Sequence, residues 1–227
     1  MNYLAIVLIL IIIIILYYVY YYLTNTSLTS GLTPLDKQVT VTYDKMTNPN
    51  SLTYSYQAWI YISSPTSGKT PIFCRTISPG EFNNFELNLN GQVLTLSAGK
   101  GDVAPRQIMV ITNNFIIQKW IYLAINVLNT QTFEVYINGK LAKTVNVTSA
   151  NAPIPISKMS NLYIGDTNLK GYVTKFTRLT SSLDAKTVWN NYLSGNGMNN
   201  SLSTIVPYGL KMSVSKGEDV QRVITVF

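Results

Sequence analysis

Apolar and polar residues alternate with a period of two from about residue 38 to about residue 180, which predicts an all-β chain folded as a two-sheet antiparallel β-sandwich with one short helix. Two Asn-Gly dipeptides, Asn90-Gly91 and Asn138-Gly139, sit between such runs and predict tight hairpins, because this pair readily takes the positive φ values of a type I′ turn. A third feature precedes the alternation: an uncharged apolar run at the N-terminus, read as a single transmembrane helix.

That run, YLAIVLILIIIIILYYVYYYL from Tyr3 to Leu23, contains no charge, Gly or Pro, and as a helix it is about 30 Å long, the thickness of a bilayer core. It lacks the positive n-region and small-residue cleavage site of a signal peptide, so it is expected to stay in the mature protein. Tyr17, Tyr18, Tyr20, Tyr21 and Tyr22 gather at one end, where amphipathic rings settle at headgroup level, and mark the membrane interface on the domain's side. Orientation is left open, since Asp36 and Lys37, the first charges after the run, cancel.

The expected organisation is a transmembrane helix over 3–23, a linker over 24–37, a sandwich over 38–195 and a C-terminal extension over 196–227. Strands are predicted at 38–43, 53–62, 71–75, 82–89, 92–97, 106–111, 119–128, 131–138, 140–147, 160–165 and 170–179. Segments 53–62 and 119–128 are apolar or aromatic on both faces, as central strands covered on each side should be, which makes Trp59 and Trp120 core or interface residues. In the second hairpin Phe133, Val135 and Ile137 share a face, and Leu141, Val145 and Val147 continue the apolar pattern after the turn.

Ser182-Leu183-Asp184 followed by AKTVWNNYL predicts a helix with Leu183, Val188, Trp189, Tyr192 and Leu193 on one side and Gly195 as its stop. Further on, LKMSVS and VQRVITVF flank Lys216-Gly217-Glu218-Asp219 and predict a last hairpin.

Composition excludes more than it selects. The net charge of +7 comes from dispersed residues; no two Lys or Arg are adjacent, so no basic run exists for a phosphate backbone to grip and nucleic acid is not an expected partner. Cys74 is the sole cysteine, read as a buried structural thiol in the short strand PIFCR, and no intrachain disulfide can form. Asn25, Asn146 and Asn199 open glycosylation sequons, which chance accounts for in a chain so rich in Asn and Thr.

The chain has no histidine, which removes Ser-His-Asp and Cys-His catalysis, histidine metal ligands and the usual neutral-pH base. Glycosidic hydrolysis needs two carboxylates flanking one bond, but Glu81 and Glu86 point to opposite faces of a continuous strand, Glu134 is isolated, and Glu218-Asp219 fall in a turn. Asp102, Asp166 and Asn168 are loop oxygens of the type calcium takes, yet nothing fixes their convergence. Gly99-Lys100-Gly101 is too short for a phosphate-cradling loop. The abundant Tyr and Asn permit sugar binding without indicating it.

The order of four pieces resembles the concanavalin A-like lectin/glucanase superfamily, laminin G-like branch, over residues 38–195. These are YSYQAWIYI with Trp59; QKWIYLAINV with Trp120 followed by the Asn138-Gly139 hairpin TFEVYINGKLAKTV; NLYIGD with Gly165 and GYVTKFTRL with Gly171; and the closing helix with Trp189. The resemblance implies a jelly-roll sandwich and permits glycan binding. It also implies an acidic residue near position 175, where Lys175 stands, so a family calcium site is not expected and no cofactor is assigned. An anchor joined to such a domain is similar, in architecture and composition, to membrane-associated minor capsid proteins of large icosahedral DNA viruses. The expected function is therefore a non-enzymatic structural or adaptor protein that tethers capsid or coat subunits to a lipid bilayer inside the virion. The alternative is a membrane-displayed, carbohydrate-binding attachment protein.

Overall fold

In the computed structural model, residues 3–24, 27–29, 31–76, 83–99, 107–148, 160–196, 211–216 and 219–225 are described, with side chains described for 7–19, 27–29, 31–76, 85–99, 107–148 and 160–196. Helix α1 (Tyr3–Thr24) forms over the apolar run, as expected of residues with no breaker among them. Its side chains from Val7 to Val19 are all exposed. Over that described stretch no helix is long and apolar enough to cross a membrane, so the structure gives the helix but not the span.

The alternating segments form two six-stranded antiparallel sheets. The first has the order β1 (Thr33–Pro34), β12 (Gly171–Leu179), β3 (Tyr54–Ile62), β8 (Trp120–Val127), β9 (Thr132–Ile137), β10 (Lys140–Asn146). The second runs β2 (Val39–Val41), β11 (Leu162–Ile164), β4 (Thr66–Thr76), β5 (Asn83–Gly91), β6 (Val93–Ala98), β7 (Gln107–Thr112). Helix α2 (Ala185–Leu193) follows β12, and β13 (Lys211–Lys216) pairs with β14 (Asp219–Thr225) in the last hairpin.

Period-two alternation decides which residues meet between the sheets. On β3, Tyr54, Tyr56, Ala58, Ile60 and Ile62 enter the main core, joined by Ile121, Leu123, Ile125 and Val127 of β8 and by Phe85, Leu87 and Leu89 of β5. Its centre is aromatic: Tyr56 lies 5.3 Å from Phe73, Phe73 meets Phe176 edge-on at 5.0 Å, and Phe85 stacks on Phe133 at 6.0 Å. Such tilted and stacked pairs add about 0.5–1.5 kcal/mol each beyond their burial. Cys74 is buried on β4, where the strand pattern put it.

Four expectations need correction. The segment assigned to a linker begins the sandwich before residue 38: Ser27 bridges Thr177, the Leu28 amide donates to the Phe176 carbonyl, and Thr33–Pro34 add a short edge strand to β12. Its polar composition hid a strap held by main-chain bonds. Strand β4 starts at Thr66, not 71, since Thr66 pairs with Gly91 across a bulge.

The Asn90-Gly91 turn is shifted by one residue. Asn90 pairs with Val93, so Gly91-Gln92 form the turn, with positive φ at Gly91 and none at Asn90. That is the glycine-first pattern of a type II′ turn. The Thr66 hydroxyl fixes it, accepting from the Gly91 amide at 3.0 Å and donating to the Leu89 carbonyl at 3.1 Å. At Asn138-Gly139 both residues have positive φ, 50° and 78°. Finally, the five residues expected on one side of α2 are unequally covered: Leu183 and Val188 are buried and Tyr192 packs against them, but Trp189 is 38% and Leu193 63% exposed.

Candidate binding face

The face of the first sheet that turns away from the main core carries its own aromatic cluster. Alternation sends Gln57, Trp59 and Tyr61 of β3 there, with Trp120, Tyr122, Ala124 and Asn126 of β8 and Glu134 and Tyr136 of β9. Helix α2 covers part of it: Trp59, Tyr122, Ala124, Tyr136, Leu183 and Val188 are buried together. Trp59 stacks on Tyr192 of the helix at 5.7 Å and 22°.

Polar bonds fix the helix over this patch. Asp184 caps its N-terminus by accepting from the Thr187 hydroxyl at 2.6 Å and from the Thr187 amide at 2.9 Å, and these bonds, the hydroxyl's first, hold the Asp184 carboxyl below its usual range. Gln57 Oε1 accepts from the Tyr122 hydroxyl at 2.6 Å and from Asn191 Nδ2 at 2.9 Å. Asn126, fully buried, donates to the Leu183 carbonyl at 2.7 Å and accepts from the Leu183 amide at 3.0 Å. At the C-terminal end, Lys175 Nζ donates to the Gly195 carbonyl at 2.7 Å from a bulge in β12, and burial lowers its pKa. A cation there suits the helix dipole, which gives the lysine found in place of an acid a structural use.

The helix stops short of one end of the sheet. There the register sets Tyr172 beside Tyr61 and Tyr61 beside Trp120, a row of three aromatic side chains across β12, β3 and β8. Tyr61 and Trp120 lie 5.6 Å apart and are half-buried, and Tyr172 is 43% exposed. Sequence reading singled out Trp120 but missed its neighbours in the row, since Tyr61 and Tyr172 become adjacent only through the pairing of strands far apart in the chain.

The other predicted residues have fold roles. Asn138 Oδ1 accepts from the Tyr122 amide at 3.0 Å. Gly139 lies under the helix, where a Cβ would come within 2.6 Å of the Trp189 ring. Gly165 has φ +87°, and a Cβ there would sit 2.6 Å from the Lys37 carbonyl oxygen. Tyr17 and Tyr18 are exposed on α1, whereas the side chains of Tyr20, Tyr21 and Tyr22 lie outside the described residues.

Chemistry is not concentrated at any of these positions. Glu134, expected to be isolated, accepts from the Tyr136 hydroxyl at 2.9 Å, and Glu86 on the other sheet pairs with Lys69 at 3.0 Å. These two carboxylates therefore stand on different sheets and do not flank a common bond. Glu81 and Glu218 lie outside the described residues, as does Asp102 of the calcium trio. Asp166 spends an oxygen on the Asn168 amide in a local turn, and among the described residues no three acidic or sulfur ligands gather.

Burial pushes Tyr122 up to about 12, and burial with the Glu134 carboxylate does the same for Tyr136. A folded pKa above the unfolded value, about 10, means the stabilisation is complete below that pH and is lost as pH rises towards about 12. An alkaline titration followed by tyrosinate absorbance should thus show Tyr122 and Tyr136, together with Tyr54, which burial also pushes up, ionising late, along with loss of the sandwich's circular dichroism. Early ionisation of all tyrosines would contradict this packing.

Two antiparallel sheets face to face, with a helix on an outer face, define a two-sheet antiparallel β-sandwich of the jelly-roll kind. The chain belongs to the concanavalin A-like lectin/glucanases superfamily, whose laminin G-type family model matches residues 35–196. Among solved structures it is similar to the binding domain of botulinum neurotoxin DC in complex with rat synaptotagmin II, at 19% identity and a TM-score of 0.53, over 69% of this chain and 40% of that one. It is also similar to a receptor-binding domain of the mosaic C/D serotype, at 15% identity and a TM-score of 0.57, over 74% of this chain and 43% of that one. A third, from a study of cell entry by botulinum neurotoxin type C through two ganglioside molecules, shows 20% identity and a TM-score of 0.53, over 69% and 39%. The chain thus spans about two fifths of each of these structures, and at such identities the likeness is one of fold. No curated protein matches the chain.

Proposed function

We propose that the protein is a non-enzymatic, membrane-anchored binding module that holds a protein layer beside lipid. Helix α1 carries this reading: its 22 residues include no charge, and its exposed side chains from Val7 to Val19 are apolar or aromatic around the whole helix. Leaving such side chains in water costs about 1.5–3 kcal/mol each relative to burial, and no polar face exists to offset it. A bilayer supplies the burial. The setting the architecture suggests is the internal membrane of a large DNA virus, with capsid or coat subunits as partners of the sandwich.

Removal of residues 1–24 should shift the protein from the carbonate-resistant membrane fraction to the aqueous one, with the sandwich intact by circular dichroism. Full-length protein in the aqueous fraction would sink the anchor. For the viral setting, the protein should co-fractionate with the membrane and detergent-resistant shell of purified virions, and its absence there would remove that part of the reading.

One observation favours a second reading, attachment to a glycan. The Tyr172–Tyr61–Trp120 row offers aromatic faces of the kind sugar rings stack on, and the fold is similar to that of a botulinum neurotoxin binding domain in complex with rat synaptotagmin II and to that of botulinum neurotoxin type C, whose cell entry depends on two ganglioside molecules. Glycan-array binding lost in Trp120→Ala and Tyr172→Ala would establish it; silence of the wild type across the array would leave the tether.

A further inference from the structure

We infer that the sandwich itself touches the bilayer, through the exposed leucines Leu52 and Leu128 in loops at the anchor's end of the first sheet. The inference rests on the reading of α1 as a membrane span and adds how the domain is seated on it.

Chain length sets the end that faces lipid. Helix α1 ends at Thr24, and Ser27 is already bridged to Thr177 on β12. Three residue steps cover at most about 11 Å, so the membrane-proximal end of α1 lies close to Ser27. From Ser27 the strap runs antiparallel to β12 as far as Pro34, paired with Tyr172. The upstream chain therefore leaves towards the end where β12 finishes, β3 begins and β8 finishes. The aromatic row lies at the opposite end.

The loops at the anchor's end form one bonded unit. Ser51 Oγ donates to the Thr180 carbonyl at 3.3 Å, and Thr53 Oγ1 donates to the Leu128 carbonyl at 3.1 Å. Buried Arg178 donates to the carbonyls of Thr47 at 2.8 Å and Asn48 at 3.3 Å, and Asn129 Oδ1 accepts from the amides of Gln131 and Thr132 at 2.8 and 2.7 Å. Residues 46–53, 128–132 and 179–182 carry no charge. Yet Leu52 is 52% and Leu128 37% exposed.

Apolar side chains held outward on rigid, uncharged loops can enter the headgroup and acyl boundary without a desolvated charge and with little ordering cost. In water the exposed parts of these side chains gain no burial. Exposed leucines are not confined to this end: Leu141, 53% exposed, follows the Asn138-Gly139 hairpin at the far end and serves as the internal control.

The test uses the full chain in phosphatidylcholine vesicles, with an environment-sensitive dye on L52C, L128C or L141C; Cys74 is buried and is shielded from labelling in the native fold. A fourth dye position, I12C, reports α1. Spin-labelled lipids should quench positions 52 and 128 several-fold more than position 141, and Ile12 most with a label deep in the acyl chain. Equal quenching at 52, 128 and 141, with position 12 quenched, overturns the seating while the anchor stands. No quenching at position 12 overturns the anchor and the seating with it.

Discussion

Gly171→Ala should abolish the folded sandwich or destabilise it by at least about 3 kcal/mol, out of the roughly 5–15 a domain has. The reason is backbone on backbone: a Cβ at position 171 would overlap the Tyr61 carbonyl oxygen, and neither strand can yield without breaking the ladder that pairs Gly171 with Ile62. The strap suffers as well, since the Leu35 amide donates to the Gly171 carbonyl at 2.9 Å. Gly31→Ala is the control: a Cβ there meets nothing within 4 Å, and only its φ of +65° opposes the change, at a cost of about 1 kcal/mol. Urea unfolding of the two variants in detergent should separate them clearly; similar midpoints would refute the close approach at Gly171.

Gly171 also shows what the sequence made legible. It was singled out from a motif, as was Gly165, and each proves to sit where a side chain would strike a carbonyl. Strand positions were readable because both faces of β3 and β8 are apolar, a pattern that survives folding unchanged. The turn at Gly91-Gln92 was not readable, since a threonine hydroxyl 25 residues away decides its register. Nor was the strap over 27–35, whose polar residues spend their main-chain groups on β12. The candidate face was half legible: its tryptophans stand out by type, but the row containing Tyr61 and Tyr172 exists only once β12 lies beside β3. Buried Arg178 was missed entirely, because its value comes from carbonyls in a loop some 130 residues earlier in the chain.

Asn126 is the second position at which one change should be severe, and its effect should depend on pH in a way that identifies the cause. The amide side chain serves Leu183 on both sides, donating to its carbonyl and accepting from its amide, and Nδ2 also lies 3.4 Å from Glu134 Oε2. Asn126→Asp keeps the shape. While protonated, the new carboxyl still donates one bond and accepts the other, so the variant should match the wild type near pH 4. Ionised, it turns a carboxylate towards a carbonyl and towards Glu134 in a buried setting, at a cost of about 3 kcal/mol. Burial and the neighbouring carboxylate raise the folded pKa of the introduced group above its unfolded value, about 3.9. Its penalty is therefore absent below that value and grows as pH rises to the folded pKa. Asn126→Ala, by contrast, strands the Leu183 groups at every pH and should lose about 1–3 kcal/mol throughout. Denaturant midpoints of both variants, taken as differences from the wild type between pH 4 and 8, decide the matter. A flat difference for Asn126→Asp would mean that the Leu183 bonds do not hold α2 in place.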